Sequence, residues 1–194
     1  MKKLLITGFD PFGGADVNPS WQAVSRLPDQ VGEYQLRKLE IPTVFGRATQ
    51  VVLEAAAQFE PDVILCVGQA GGRESVTPER IAVNIRDARI PDNGGNQPRG
   101  EFGAPDGPAA YFATVPVEKM AQAIRDAGIL ATVSNSAGAF VCNDTLYGIL
   151  HAFAGRHVRC GFIHVPYLPE QGTPNLPLEQ TVRALTAAIE ALDT

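Results

Sequence analysis

The chain has 194 residues, 45% of them hydrophobic and 19% charged, with a formal net charge of -5. That is enough apolar material for one packed domain spanning residues 1–194 and too much for a disordered chain. The acidic balance, a pI near 5.2 and the lack of any Lys/Arg run exclude a general attraction to nucleic acid or to anionic membrane surfaces.

The opening MKKLLITGFD carries two lysines and a short apolar run. Asp10, Pro11 and a glycine pair break that run before a signal-peptide core can form, so Leu4–Phe9 reads as a first strand. No segment reaches the roughly 20 apolar residues that span a bilayer. The Gly/Pro-rich turn FDPFGG then leads to Asn18-Pro19-Ser20, the start signal of a helix over 21–26. A second strand is expected over 34–41, stopped by Pro42, and an amphipathic helix over 44–59. VILCVG, residues 63–68, is a continuous apolar run of the buried-strand type.

After the loop QAGGRESVTP, the alternation of Ile81, Val83 and Ile85 predicts a strand returning antiparallel, which makes the sheet mixed. Residues 91–109 are dense in Pro, Gly, Asn and Asp and read as a long, mobile surface arm or lid. A helix over 117–127, a strand over 130–133, a helix over 140–153, a strand over 160–165 and a closing helix over 178–192 complete the pattern. Strands alternating with helices imply a three-layer α/β/α sandwich with a mixed, mainly parallel central sheet. In such a fold the loops at the carboxyl ends of the parallel strands carry the site.

The three cysteines are widely spaced and form no C-x-x-C pair, which argues against a disulfide framework or a zinc site and suits a reducing cytoplasm. Cys66 lies mid-strand and Cys160 opens a strand, so both read as structural. Cys142 differs. In SNSAGAFVCND it joins a small-residue turn to the first turn of a helix, where backbone N–H groups and the helix dipole stabilise a thiolate. The plain alternative is an inert, buried cysteine at a helix start.

A cysteine nucleophile needs a base, and three histidines are available. His151 falls on the same helix, some 13 Å further on at about 1.5 Å per residue, and His157 lies in a polar turn. His164, in GFIHVPYLP, sits near the carboxyl end of a strand that Pro166 terminates, so it can reach the edge where Cys142 emerges. A carboxylate at that edge would fix the imidazole tautomer. Glu79 qualifies on topology, although on local sequence a surface ion pair with Arg80 or Arg73 is the simpler account, and Asp87 is the rival at the far end of its strand. The glycine loops near residues 8 and 68 fit neither G-x-G-x-x-G nor the Walker pattern, and signal close backbone approach rather than a nucleotide. The aromatic rings of Phe9, Phe12 and Phe140 are placed to line a small apolar pocket.

Two rival readings fit the element pattern: a nucleoside phosphorylase-like enzyme using the glycine loops for phosphate, and a small-ligand binding module with a merely buried cysteine.

Taken together, GFDPFGGADVNPSW, EIPTVF, GQAGGR, TPERIAVNIRDARIPDNGGNQP, SNSAGAFVCND and GFIHVPYLPEQ, in this order and over nearly the whole chain, resemble the pyroglutamyl peptidase I family. The resemblance implies a cysteine peptidase that removes an N-terminal pyroglutamyl residue through a thioester, with a triad of Glu79, Cys142 and His164. It implies that Phe9 and Phe12 sandwich the pyrrolidone ring and that Asn18 and Gln69 fix the loops or the lactam polar groups. Thr43, Ile90, Phe140 and Val141 would complete a mostly apolar pocket, and Arg89 would sit close to the nucleophile. It further implies no cofactor and no metal, a cytoplasmic location and a homotetramer. Ala139 stands where the pattern usually has threonine and Asp144 where it often has histidine, the latter adding negative charge within a turn of Cys142.

Overall fold

The structure is a computed structural model and describes residues 1–193. In chain order the elements are β1 (Lys2–Phe9), α1 (Pro19–Arg26), β2 (Gln30–Val31), β3 (Tyr34–Ile41), α2 (Arg47–Phe59), β4 (Val63–Gln69), β5 (Thr77–Pro78), β6 (Ile81–Val83), β7 (Ala110–Phe112), α3 (Val117–Asp126), α4 (Val141–Ala152), β8 (Arg159–Val165) and α5 (Leu178–Glu190). The main sheet has the order β2-β3-β1-β4-β8-β5. Strands β3, β1, β4 and β8 are parallel, and the two-residue strands β2 and β5 pair antiparallel at the edges. The expected mixed, mainly parallel α/β/α sandwich is the observed fold.

The central strands are apolar on both faces because helices cover both. Side chains alternate across a strand, so one face carries Leu4, Ile6, Val63, Leu65, Val67, Ile163 and Val165, packed under α1, α3 and α5. The other carries Leu5, Phe9, Ile64, Cys66, Cys160 and Phe162, packed under α2 and α4. His164 shares its parity with Cys160 and Phe162 and therefore faces α4.

Four expectations shift. The segment Ile81–Val83 does not join the main sheet but forms a hairpin with β7, whose inward pair Ala82 and Tyr111 packs on the α4 side, and Ile85 falls outside it. Residues 130–133 form no strand, only isolated bridges that continue to Ser134. The reason is local: Val76 donates to Leu130, Thr132 to Val76, Ser134 to Pro78 and Arg80 to Ser134. The bond missing from that parallel ladder is the one Pro78, with no N–H, cannot make. Helix α2 starts at Arg47 rather than residue 44 because Gly46 takes φ +70 as its N-cap. The arm at 91–109 lacks regular structure yet is stapled down. The Asp92 carboxylate accepts the N–H groups of Phe45, Gly94 and Asn96, and Asn93 Nδ2 donates to Asp10 Oδ1 and the Pro11 carbonyl.

Candidate active site

Strand register brings the three candidate groups to one face. In the β4–β8 ladder Gly68 stands opposite His164. Cys142, in the first turn of α4, lies over Gly68 so closely that a Cβ on that glycine would be 2.8 Å from Cys142 Sγ and 2.7 Å from the Phe162 ring. Glycine is required here for approach rather than for its dihedral freedom. Across β8, Thr77 is paired with His164, and Glu79 donates its N–H to the Phe162 carbonyl at 2.9 Å. Glu79 is thereby in register with Phe162 and points to the same face as His164. Its Oε1 lies 2.7 Å from His164 Nδ1. A carboxylate accepts the Nδ1–H, holding the ring proton on Nδ1 and leaving Nε2 as the acceptor. The Phe162 ring, 4.8 Å from the imidazole centre to centre, supports it from the strand.

Glu79 is wholly buried, and its ion pair is with Arg73, whose Nη1 lies 2.6 Å from the same Oε1. The surface-pair reading of Glu79 therefore fails on burial. Arg80 is engaged elsewhere, with Asn135 and Glu118, and Asp87 is exposed, its N–H donated to the Ala139 carbonyl. Cys66 and Cys160 are buried, and His157 lies in an exposed turn. His151 bonds Tyr111 at 2.9 Å, away from the sheet end.

Burial alone raises the Glu79 carboxyl, but the hydrogen bond and charge of His164, aided by Ser134 and Arg73, leave it below its ordinary value. Desolvation pulls the His164 imidazole down, against the raising effect of Glu79. The Cys142 thiol is pushed up to about 12, first by desolvation and then by the charges of Glu79 and Cys66, with Arg73 opposing. Desolvation at the helix start thus works against the expected thiolate. Burial therefore favours the uncharged forms of both groups, the thiol of Cys142 and the neutral imidazole of His164. No side chain caps α4, whose N-cap is Phe140, so its first-turn N–H groups stay available to an anion.

A cavity of about 690 Å³ reaches Gln69, the neighbour of Gly68, and is lined among others by Phe12, Val17, Arg89, Ile90 and Tyr167, while Glu79, Cys142 and His164 are not on its wall. Four expected pocket residues are therefore on its wall: Phe12, Gln69, Arg89 and Ile90. Phe9, Asn18, Thr43, Phe140 and Val141 are not. Phe9 is 1% exposed and packs on Phe162, and Val141, the first residue of α4, is fully buried. Asn18 caps α1 through Ser20 and donates to the Asp10 carbonyl, while Thr43 donates its N–H to Asp10 Oδ1 at 2.7 Å. Both hold the first loop in shape. Phe140 stands behind the wall, 5.9 Å from Phe12 and 5.3 Å from Phe45 between ring centres. The cavity is also less apolar than expected, since Asp16, Arg89 and Glu170 all contribute to it.

Sequence reasoning missed Gln171, whose Nε2 donates to Gln69 Oε1 at 2.9 Å and so turns the Gln69 amide N–H₂ outward. It also missed Asp10 as the organiser of the first loop. Asp144 is not a free charge near the sulfur. One oxygen takes Arg86 Nε at 2.6 Å and the other takes the Gly46 N–H at 2.8 Å, tying α4 to the start of α2.

A family model described as "Pyroglutamyl peptidase" matches residues 2–194. The pyrrolidone-carboxylate peptidase of Levilactobacillus brevis is 53% identical, the alignment covering 98% of this chain and 97% of that protein. The crystal structure of Bacillus amyloliquefaciens pyroglutamyl peptidase I superposes with a TM-score of 0.96 at 47% identity, covering 99% of this chain and 97% of the other. The pyrrolidone carboxyl peptidase of Thermococcus litoralis superposes with a TM-score of 0.94 at 39% identity, covering 99% and 93%. With likeness of this extent in sequence and in three dimensions, the chain belongs to the pyroglutamyl peptidase family of cysteine-type peptidases.

Proposed function

We propose that the protein hydrolyses the amide bond after an N-terminal pyroglutamyl residue, with Cys142 as nucleophile, His164 as proton carrier and Glu79 as the group that orients it. The observation that carries the reading is the buried Glu79–His164 bond at 2.7 Å on the strand whose partner, Gly68, is crowded by Cys142 Sγ. His164 Nε2 takes the thiol proton as sulfur attacks the scissile carbonyl. The tetrahedral oxyanion is met by first-turn N–H groups of α4, each such donor being worth about 3–4 kcal/mol. His164 returns the proton to the leaving amine, and water then hydrolyses the thioester. Glu79 stabilises the imidazolium that forms at each stage.

The substrate choice follows from charge. A pyroglutamyl terminus has its amine closed into a lactam and brings no ammonium group. It can rest on Phe12 and Ile90 and accept a hydrogen bond from the outward amide of Gln69. A free N-terminal ammonium desolvated at the same place loses several kcal/mol, so ordinary peptides are rejected by exclusion as well as by fit. Arg89, on the cavity wall, supports the peptide carbonyls, and no metal or cofactor takes part. We place the activity in the cytoplasm, in a single catalytic domain that assembles as a homotetramer. Among the described residues no helix is long and apolar enough to cross a membrane.

The test is release of a fluorophore from a pyroglutamyl amide, with and without iodoacetamide, compared with the matching prolyl and glutamyl amides. The parent should act on the first alone and be silenced by alkylation, and Cys142→Ser and His164→Ala should each lose nearly all turnover. Activity surviving either substitution overturns the mechanism.

A further inference from the structure

Glu79 carries more than its bond to His164, and the extra partner lies outside the three-residue reading. The Arg73 guanidinium reaches three acceptors on two separate segments at once: Nη1 donates to Glu79 Oε1 and Thr77 Oγ1, both at 2.6 Å, and Nη2 donates to the Ser136 carbonyl at 2.9 Å. Ser136 belongs to the loop SNSAGAFV that leads into α4 and delivers Cys142. Glu79 Oε1 is thus shared between a cation and the imidazole, whereas Oε2 has no hydrogen-bond partner. The Arg73 side chain is 31% exposed and lines a cavity of about 590 Å³ with Ser75, Thr77, Ser134 and Ser136. Its back is open to solvent while its front is locked onto the buried carboxylate.

We propose that Arg73 is a positioning residue for this reaction, a fixed cation that holds the Glu79 carboxylate against His164 and ties it to the loop carrying the nucleophile. The inference rests on the catalytic reading given above. Two physical consequences follow. Without Arg73 the carboxylate has lost one of the two donors on Oε1 and can rotate its unpartnered oxygen toward the imidazole, which misplaces the ring. Without the guanidinium charge, the negative field of Glu79 acts on its neighbours unopposed. The charged groups that act on His164 are Glu79 on the segment after β5 and Arg73 on the loop after β4, and the same two, with the Cys66 thiol on β4, act on Cys142. Arg73 is the one cation among them. It holds both the imidazole and the Cys142 thiol lower than they would otherwise lie, so its removal moves both upward.

The experiment compares the parent, Arg73→Gln, Arg73→Lys and Arg73→Ala in pyroglutamyl-amide turnover across pH 5–9, with Cys142→Ser as the inactive control. Arg73→Gln is expected to lower kcat by on the order of 10²-fold, the usual cost of a misplacement of about 1 Å at reacting groups. It should also move the acid limb of kcat/KM to higher pH and shift the pH dependence of iodoacetamide inactivation in the same direction. Arg73→Lys should recover part of kcat and return the limb toward the parent. In Arg73→Ala, millimolar guanidinium ion, entering through the open cavity, should restore turnover in proportion to its concentration. A loss of kcat with both limbs unmoved and no guanidinium rescue reduces Arg73 to a structural clamp and overturns the proposal. So does full activity in Arg73→Gln. Failure of the catalytic reading would show separately, as activity retained in Cys142→Ser or absent from the parent.

Discussion

Replacing Gly68 by alanine tests the geometry of the site with a single methyl group. The added carbon would sit 2.8 Å from Cys142 Sγ and 2.7 and 2.9 Å from two atoms of the Phe162 ring. Comfortable heavy-atom contact is about 3.5–4.0 Å, so the sulfur and the ring must each retreat by roughly 1 Å. Both are held, the ring in the closed core under α2 and α4 and the sulfur on the first turn of α4, and overpacking of this kind costs about 1–3 kcal/mol of stability. A retreat of about 1 Å by the nucleophile costs on the order of 10²-fold in rate. The neighbouring Gln69, and with it the cavity wall, is untouched. The expected result is therefore a fall in kcat of about two decades, a KM within a fewfold of the parent, and a modest loss in urea midpoint. Urea unfolding and steady-state hydrolysis of a pyroglutamyl amide, with active-site titration to count competent molecules, separate the two effects. Parent-like kcat at parent-like stability refutes the placement of sulfur over this glycine, and with it the argument that register alone sets the nucleophile against His164.

Other outcomes can be checked alongside. Glu79 and His164 are both held below their ordinary values, so both add stability at neutral pH. As pH falls through the unfolded values of 6.5 for histidine and 4.5 for glutamate, the unfolded chain binds protons the native state does not, and stability declines. Urea midpoints measured from pH 7.5 to pH 4 should fall in the parent and fall less in Glu79→Gln/His164→Gln. With the resting thiol near 12, inactivation by iodoacetamide should keep rising from pH 7 to pH 10, whereas a plateau between pH 5 and pH 7 would mean a preformed thiolate. Asp144→Ala breaks the buried link to Arg86 and the Gly46 N–H and should cost about 3 kcal/mol, seen in chemical denaturation, with turnover per folded molecule largely kept. Gln171→Leu frees the Gln69 amide and should raise KM for pyroglutamyl amides more than it lowers kcat.

The parts of the fold most legible in the sequence were those written in continuous or alternating apolar runs. VILCVG and GFIHV are strands because both faces of β4 and β8 are covered, and Pro166 ends β8 as a residue without an N–H must. Elements whose partners lie far away in the chain were not legible. Leu130–Val133 has the composition of a strand, yet what it becomes depends on Pro78, fifty residues earlier. The hairpin of β6 needs residues 110–112, hidden behind an arm without periodicity. In the site, Cys142, His164 and Glu79 could be chosen by type and by strand end, whereas Arg73 looked like an exposed loop cation until Glu79 proved wholly buried beside it. Phe9 shows the limit in the other direction. An aromatic residue at a strand end beside a glycine loop looks like a pocket wall, but its parity turns it inward onto Phe162.

The position of β8 in the sheet has a consequence for when the protein becomes active. It is the last strand of the described residues, yet it lies inside the sheet, between β4 and β5, and it carries the imidazole. A chain emerging from the ribosome can build β1, β3 and β4 early, but Cys142 and then His164 follow only after residue 140. The gap beside β4 stays vacant until residues 159–165 arrive to fill it. On the proposed mechanism, hydrolytic competence waits for completion of the sheet. Incomplete chains ending before β8 should be inert toward the termini of other nascent peptides, and prone to capture by any free strand that fits the opening.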